Sequence, residues 1–328
     1  MNTKPTLGVT LYSFTNDWQL GRFTFAELIA EVARLGLGPA VEVVGFQSFR
    51  NFLDVPDDFA RDFRNLLEKH GLTPSCLGGN CDVGRRRDRA MTQDEIVAYL
   101  ERQIISAQKL GFPVLRIQAF VGPAVFERLA PIAEKAGVHV ACELHSPLST
   151  NHPEVVALRQ VYERTGSTYI GFIPDFSPSM NHPPERYWES LRRDGAPEAL
   201  IDDAKAIWMG TGANPEKFAA LAEAAARHSA SPLVAGRLNT SMTMFGHMPV
   251  ERWADLLPYT HHIHGKFYKV DETGNETSIS YPEIMALLKK TGYNGTISAE
   301  WEGHAFTGAT LGFEQVRRWH AMCKRLLN

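Results

Sequence analysis

Short runs of β-branched and other apolar residues alternate with longer amphipathic stretches over most of the chain. Eight of the short runs have the length and composition of buried β-strands, at 7–11, 40–44, 73–77, 114–118, 138–142, 170–174, 261–265 and 296–299. The stretches between them repeat apolar residues at helical spacing, at 25–35, 57–70, 93–110, 123–135, 153–164, 215–228 and 282–291. This pattern predicts an alternation of strands and helices.

Glycines follow six of the predicted helices, at Gly36, Gly71, Gly111, Gly137, Gly166 and Gly292. Because glycine has no Cβ, it can adopt the left-handed conformation that ends a helix. Repeated helix–glycine–strand units indicate parallel strands with helical crossovers, and eight strands favour a closed barrel. An open dinucleotide-binding sheet would have a glycine fingerprint after its first strand, where this chain has Leu11-Tyr12-Ser13-Phe14. We predict an α/β fold, a (β/α)8 TIM barrel, as a single domain over residues 1–328.

Two segments interrupt this regular alternation. Residues 177–214, after the sixth strand, are longer than an ordinary loop between a strand and a helix, and residues 235–249 before the seventh strand are rich in methionine. Long loops at the catalytic face of a barrel commonly serve as lids or as walls that determine specificity. Packing against the outer helices and contact with a partner subunit are the alternatives.

Composition and charge narrow the classes of function. The chain has 34 Lys and Arg residues against 37 Asp and Glu residues, a net charge of −3. Apart from Arg85-Arg86-Arg87, which a solvated loop explains, there is no dense basic run, so nucleic-acid binding has little support. No stretch resembles a signal peptide or approaches the ~20 apolar residues needed to cross a membrane. The four cysteines lack the spacing of a zinc site, so we expect reduced thiols in a cytoplasmic protein.

Each of the last four predicted strands ends at or near a side chain that can bind a metal ion. They are Glu143, Asp175, His264 and Glu300. The carboxyl ends of parallel strands converge on one pocket in a barrel, and buried carboxylates there need a partner. Three carboxylates and one imidazole suit Mn²⁺ best, with Mg²⁺, Co²⁺, Fe²⁺ and Zn²⁺ as alternatives. We therefore predict a divalent metal site.

Every member of this set also has a purely structural interpretation. A single carboxylate at a strand end can cap the following helix or form an ion pair with Arg116 or Lys266. In the histidine-rich segment His261-His262-Ile263-His264, one imidazole can face the outer helices as a packing residue. The joint arrangement at four strand ends favours the metal site over these separate explanations.

The order Glu, Asp, His, Glu, together with the closing residues 292–302, resembles the xylose isomerase-like superfamily of sugar isomerases and epimerases. The resemblance implies that Glu143, Asp175, His264 and Glu300 are the metal ligands. Glu143-Leu144-His145 resembles the family's E-N-H phrase, which places His145 beside the metal. Ile263-His264-Gly265-Lys266 resembles its V-H-x-K phrase, which favours His264 over His262 and makes Lys266 a candidate for binding a substrate oxygen. A salt bridge is the alternative role for Lys266.

A narrower resemblance is to the large alpha subunit of bacterial C-glycoside deglycosidases. It lies in the opening residues 8–13, the Glu-x-His phrase and Glu300-Trp301-Glu302-Gly303-His304. That family cleaves the C–C bond between a 3-oxo sugar and an aromatic aglycone, in a complex with a small β-sandwich subunit. The resemblance implies a metal-dependent lyase in which His145 transfers the proton; in an epimerase, Glu143 or Glu300 could bind the metal and accept the proton. Glu302 and His304 are then candidates for substrate binding, and we expect an oligomer.

Three alternative functions compete with the lyase. A ketose isomerase or epimerase shares the metal ligands, but ketose epimerases usually have histidine where this chain has Pro178. A phosphodiesterase of the endonuclease IV type needs a three-metal cluster with more histidines, and the acidic net charge also disfavours binding to a phosphate backbone. A non-catalytic subunit would have no need to retain all four proposed ligands.

Overall fold

Eight parallel strands form a ring at the centre of the computed structural model, which describes residues 4–118 and 121–328. They are β1 (Thr6–Thr10), β2 (Ala40–Val44), β3 (Thr73–Gly79), β4 (Val114–Ile117), β5 (His139–Leu144), β6 (Ile170–Pro174), β7 (His262–Phe267) and β8 (Thr296–Trp301). Their order is β6-β5-β4-β3-β2-β1-β8-β7. Isolated parallel bridges, Phe172 to Thr260 and Asp175 to His264, link the two outermost strands. The predicted (β/α)8 barrel is confirmed.

Helices follow the strands and cover the outside of the barrel. The α-helices are α1 (Thr15–Gln19), α2 (Phe25–Arg34), α3 (Gly45–Ser48), α4 (Asp57–Lys69), α5 (Gln93–Leu110), α6 (Pro123–Ala136), α7 (Pro153–Thr165), α8 (Glu185–Arg193), α9 (Glu198–Met209), α10 (Asn214–Arg227), α11 (Pro232–Leu238), α12 (Thr240–Met244), α13 (Tyr281–Thr291) and α14 (Gly312–Leu327). Short 3₁₀ helices occupy Leu11–Phe14, Val250–Asp255, Leu257–Tyr259 and Gly303–Phe306. All six glycines predicted to end helices have positive φ angles.

The chain between β6 and β7 is mostly helical. Helices α8 and α9 lie within the segment 177–214, and α11 and α12 extend over parts of the following chain, including much of 235–249. Helices α8 and α9 were not predicted, although their buried residues lie at helical spacing, because the segment departs from the alternation of one strand with one helix. Division into domains is not tested by these observations, so a single domain stays a prediction. No helix in the described ranges is long and apolar enough to span a membrane.

The inside of the barrel changes character along the strands. Side chains two residues apart in a strand point to the same face, so Ala141 and Glu143 share one face of β5. Deep in this face, Cys76, Val114, Ala141 and Ile173 form a small buried apolar cluster. Two residues further along three of these strands lie Arg116, Glu143 and Asp175. The interior is therefore apolar towards the amino ends of the strands and charged towards their carboxyl ends.

Candidate metal centre and catalytic cavity

The four predicted metal ligands lie together at the carboxyl ends of β5 to β8. One ligand atom from each of Glu143, Asp175, His264 and Glu300 lies within 4.8 Å of the others, and all four residues are buried. Glu143 and Glu300 lie within β5 and β8, near their carboxyl ends. The sequence predicts that each residue directly follows its strand. The barrel thus brings together residues as far apart in the sequence as Glu143 and Glu300, which are separated by 157 positions.

His264 is held between carboxylates on both sides of its ring. Its Nδ1 lies 2.7 Å from Glu143 Oε1 and 3.3 Å from Glu300 Oε2. Its Nε2 lies 2.9 Å from Oε1 of Glu42, whose Oε2 is 3.0 Å from His262 Nε2. The Nδ1 side therefore faces the other predicted ligands, while Glu42 fixes the orientation of the ring from behind. A carboxylate in this position is the usual support of a histidine that binds a metal ion.

Glu42 is a residue that the sequence analysis missed. The available signal was a glutamate in the middle of the otherwise apolar strand Ala40–Val44. A carboxylate in such a run is costly to bury unless it has a partner. The partner could not be identified from the sequence, because His264 lies 222 positions away.

Arg116 on β4 supports Glu143 from the other side. Its Nη1 donates to Glu143 Oε2 over 2.8 Å, and both side chains are buried. The guanidinium also packs against Gly78, where an added Cβ would lie only 2.6 Å from Arg116 Nη2. This pair is one of the structural partnerships that the sequence analysis named as an alternative, and here it occurs beside the predicted ligand group.

Lys266 lies among acidic side chains at the carboxyl ends of β6 and β8. Its Nζ is 2.9 Å from Asp175 Oδ2 and 3.3 Å from Glu300 Oε2, and it also contacts Glu302. Glu302 in turn accepts a hydrogen bond of 2.9 Å from the Tyr12 hydroxyl. The alternative role predicted for Lys266, an ion pair, is thus present, and the lysine also lines the cavity described below.

These contacts move the pKa values of the buried groups in consistent directions. Burial disfavours the carboxylate of Glu143, but Arg116 and His264 outweigh it and hold its pKa well below the usual range. Burial likewise opposes the charged form of His264, yet the carboxylates of Glu300, Glu42 and Glu143 raise its pKa well above the ordinary value. Burial raises the pKa of Asp175 to about 6, although Lys266 opposes this shift. The group therefore attracts positive charge.

The donor set fits a divalent cation. Two buried oxygens, Asp175 Oδ2 and Glu300 Oε2, have no hydrogen-bond partner among the described residues, although Lys266 lies near both. In the described part of this region, the cations of Arg116 and Lys266, together with His264, whose pKa is raised, face five carboxylates, those of Glu42, Glu143, Asp175, Glu300 and Glu302. Three carboxylate oxygens and one imidazole nitrogen are hard and borderline ligands of the kind that Mn²⁺, Fe²⁺ and Zn²⁺ accept.

A cavity of about 520 Å³ opens beside this group, and we refer to it as the catalytic cavity. His145, directly after β5, lines it and is half-buried. Its Nδ1 lies 2.6 Å from the carbonyl oxygen of Ser146. Because a carbonyl oxygen only accepts, Nδ1 carries the hydrogen, and the neutral ring keeps its lone pair on Nε2. This arrangement suits a residue that accepts a proton.

The two remaining predicted residues occupy different positions. Glu302 lines the catalytic cavity beside Lys266. His304 is not among the described residues that line it; its ring packs edge-on against Tyr12, with the centroids 4.7 Å apart. Tyr12 itself lines the cavity, so His304 stands behind it. Substrate binding by His304 is untested and stays a prediction.

Comparison with known proteins places the chain in a family. It is 36% identical over 332 residues to the 3'-dehydrocarminate deglycosidase alpha subunit of a Microbacterium species, covering 98% of this chain and 95% of that protein. It is 38% identical over 308 residues to a C-glycoside deglycosidase alpha subunit of Microbacterium trichothecenolyticum, covering 91% and 84%. The chain belongs to the C-glycoside deglycosidase alpha subunit family. Members of this family are named as enzymes and as alpha subunits, so the chain is an enzyme, and the family name implies a partner subunit.

Other comparisons define the fold alone. A sugar phosphate isomerase/epimerase from Parabacteroides distasonis matches with a TM-score of 0.56 at 12% identity, over 98% of this chain and 96% of that one. A D-psicose 3-epimerase matches with a TM-score of 0.55 at 14% identity, over 98% and 99%. No model of a protein family matches the chain. This chain therefore shares its barrel fold with proteins that are named as sugar isomerases and epimerases.

Proposed function

We propose that this protein cleaves the C–C bond of 3-oxo-C-glycosides as a metal-dependent lyase. The supporting observation is the group Glu143, Asp175, His264 and Glu300, which lies beside His145 in the catalytic cavity of a chain from the deglycosidase family. A 3-oxo group makes the neighbouring C2 proton acidic, which is what a base beside a cation site can use.

The proposed ligands of the metal ion are Glu143, Asp175, His264 and Glu300. We propose Mn²⁺, because three oxygens and one nitrogen match its preference and leave room for substrate oxygens. When bound, the ion would act as a Lewis acid that offsets the negative charge on the oxygens next to the reacting carbon. Glu42 orients His264, and Arg116 keeps Glu143 ionised and in place.

His145 is the proposed catalytic residue for proton transfer. Its free Nε2 accepts the proton from C2, and the electron pair of that C–H bond becomes available to form a double bond between C1 and C2. The bond from C1 to the aglycone then breaks, and the departing carbon takes its electron pair. The imidazolium of His145 then returns the proton to that carbon. The net reaction is an elimination that leaves an unsaturated 3-oxo sugar and the neutral aglycone, which has gained a C–H bond. Lys266 and Glu302 would bind sugar hydroxyls.

The assembly and location of the protein are further parts of the proposal. We expect the chain to act with a second subunit of the small β-sandwich type in a hetero-oligomer in the cytoplasm. Co-expression of this chain with the protein encoded beside it, followed by size-exclusion chromatography, tests the complex. A lone chain with full turnover would contradict the need for a second subunit.

Elemental analysis and turnover of two variants test the site. Glu143→Ala removes a proposed ligand and should lose the metal ion and the activity together. His145→Ala should retain the metal ion and lose turnover of a 3-oxo-C-glycoside. Unchanged metal content in Glu143→Ala would contradict the ligand assignment. Turnover of free ketoses in place of 3-oxo-C-glycosides by the unsubstituted protein would indicate an epimerase.

A further inference from the structure

The catalytic cavity has two levels that differ in chemistry. Its buried lining residues are nearly all polar or charged and include the metal-capable group. The lining residues that are exposed to solvent are Phe46, Gln47, Gln118, Pro147 and Thr243; together with the half-buried Met244, we call them the rim. A ligand that fills both levels therefore needs an oxygen-rich end and a less polar end.

Phe46 is the most unusual member of the rim, because its large apolar side chain is 50% exposed. It lies on the short helix α3 (Gly45–Ser48), directly after β2. A Cβ at Gly45 would lie 2.2 Å from the ring of Phe52, so the glycine allows Phe52 to pack closely beneath this helix. Phe46 thus projects from a well-packed support and remains half-exposed.

Met244 reaches the rim from a different part of the chain. It ends α12 (Thr240–Met244), which lies in the long connection between β6 and β7. Phe46 follows β2, so two connections that are far apart in the sequence place an apolar side chain on the same cavity. A methionine is well suited to contact a ring, because its thioether is flexible and polarisable.

From this geometry we propose that Phe46 and Met244 form a binding subsite for a flat aromatic group, the aglycone of the substrate. The inference rests on the proposed function, which supplies a ligand with a sugar at one end and an aromatic group at the other. The sugar would occupy the polar level beside the metal-capable group, and the ring system would lie between the two rim side chains. Contact with the ligand would remove the exposed face of Phe46 from water.

Exposure alone does not distinguish Phe46 from other apolar side chains. Phe59 is 42% exposed, and Leu233 is 58% exposed. Neither lines the catalytic cavity. The position of Phe46 beside the metal-capable group is what makes it a candidate for ligand binding, and Phe59 provides a control of the same residue type.

A binding experiment tests the subsite without any turnover. Isothermal titration calorimetry would measure 2-naphthol, a flat aromatic probe, against decahydro-2-naphthol, its saturated counterpart, on the metal-loaded protein. We expect preference for the flat probe, and a dissociation constant raised about tenfold in Phe46→Ala and severalfold in Met244→Ala. Phe46→Tyr should restore binding, and Phe59→Ala should leave it unchanged.

The possible results separate this inference from the proposed function. Equal affinities in the unsubstituted protein, Phe46→Ala and Met244→Ala would overturn the subsite, as would equal binding of the two probes or no binding at all. Weaker probe binding in the two variants, with unchanged metal content, supports the subsite even if no 3-oxo-C-glycoside is cleaved. If cleavage is confirmed, KM for an aromatic C-glycoside should rise in Phe46→Ala while kcat stays near its original value.

Discussion

The two halves of the barrel contribute to the metal-capable group in different ways. Strands β5 to β8 each provide one of the four residues whose ligand atoms meet. Strands β1 to β4 provide none of those four among the described residues, but β2 and β4 carry Glu42 and Arg116. Glu42 contacts His264, and Arg116 contacts Glu143. One half, the ligand half, carries the four proposed metal ligands, and the other, the supporting half, holds two of them in place.

This division explains why the supporting residues are charged although they are buried. A ligand group with excess negative charge has to keep its carboxylates ionised and its imidazole oriented before a cation arrives. Arg116 lowers the pKa of Glu143 against the effect of burial, and the paired His264 and His262 likewise lower the pKa of Glu42. Substitutions in the ligand half should therefore abolish metal binding, whereas substitutions in the supporting half should lower stability or metal affinity. Four predictions test this difference, in decreasing order of expected effect.

The largest effect should come from the ligand half. His264→Ala removes the one nitrogen in the ligand group, so we expect loss of the metal ion and a fall in kcat/KM of more than about 10³-fold. Elemental analysis and steady-state kinetics measure both. His261→Ala is the matched control, because His261 stacks on His139 outside the ligand group. Retention of the metal ion by His264→Ala would contradict the assignment of the metal ligands to β5 to β8.

Loss of the buried cation in the supporting half should reduce stability strongly. Arg116→Met leaves the carboxylate of Glu143 without this partner, so the free energy of unfolding of the metal-free protein should fall by about 3–5 kcal/mol at pH 7. Arg116 lowers the folded-state pKa of Glu143, so its stabilising effect is present at neutral pH and is lost as pH falls into the acidic range. Urea denaturation at pH 7 and at pH 4 measures the difference.

The control for Arg116 is an ion pair on the surface. Arg164 lies 3.0 Å from Glu127, and both side chains are about half-exposed. Arg164→Met should cost at most about 1 kcal/mol, because water screens exposed pairs. Equal losses for the two arginine variants would show that the position of Arg116 beside Glu143 has no special effect.

A smaller effect should follow from loosening the histidine ligand. Glu42→Gln keeps the size of the side chain but weakens its interaction with His264. We expect metal affinity to fall by about 10- to 100-fold, as for other residues that support a ligand. Competition with a chelator of known affinity measures this. An unchanged affinity would mean that Glu42 serves only packing.

The smallest effect should come from Tyr12, because the residue that its hydroxyl contacts, Glu302, is not one of the four proposed ligands. Tyr12→Phe removes one hydrogen bond of 2.9 Å to Glu302 and keeps the ring. The expected cost is about 1 kcal/mol in transition-state stabilisation, or roughly a fivefold lower kcat/KM, with unchanged metal content. Kinetics beside elemental analysis test it. Loss of the metal ion in this variant would show that Tyr12, like Glu42 and Arg116, is needed to keep the metal ligands in position.

Much of the fold could be predicted because its signals are local. The alternation of short apolar runs with amphipathic stretches identified all eight strands to within a few residues, and glycines such as Gly111 and Gly137 end their helices with positive φ angles. Helices α8, α9 and α14 were not predicted: α8 and α9 lie in a segment that was interpreted as a long loop, although their buried residues are at helical spacing, and α14 follows the last strand. The four ligand candidates were predictable from their positions at strand ends.

The amino-acid sequence by itself determined the order of strands and helices and which strand ends carry acidic or imidazole groups, because these depend on neighbours a few residues away. Only the tertiary structure decided the long-range groupings: Glu42 with His264, Arg116 with Glu143, and Phe46 and Met244 on one cavity. Closing the ring sets those partners, since it determines which distant side chains share one small volume with little water. Their charges then shift each other's pKa values in directions that no single strand could reveal.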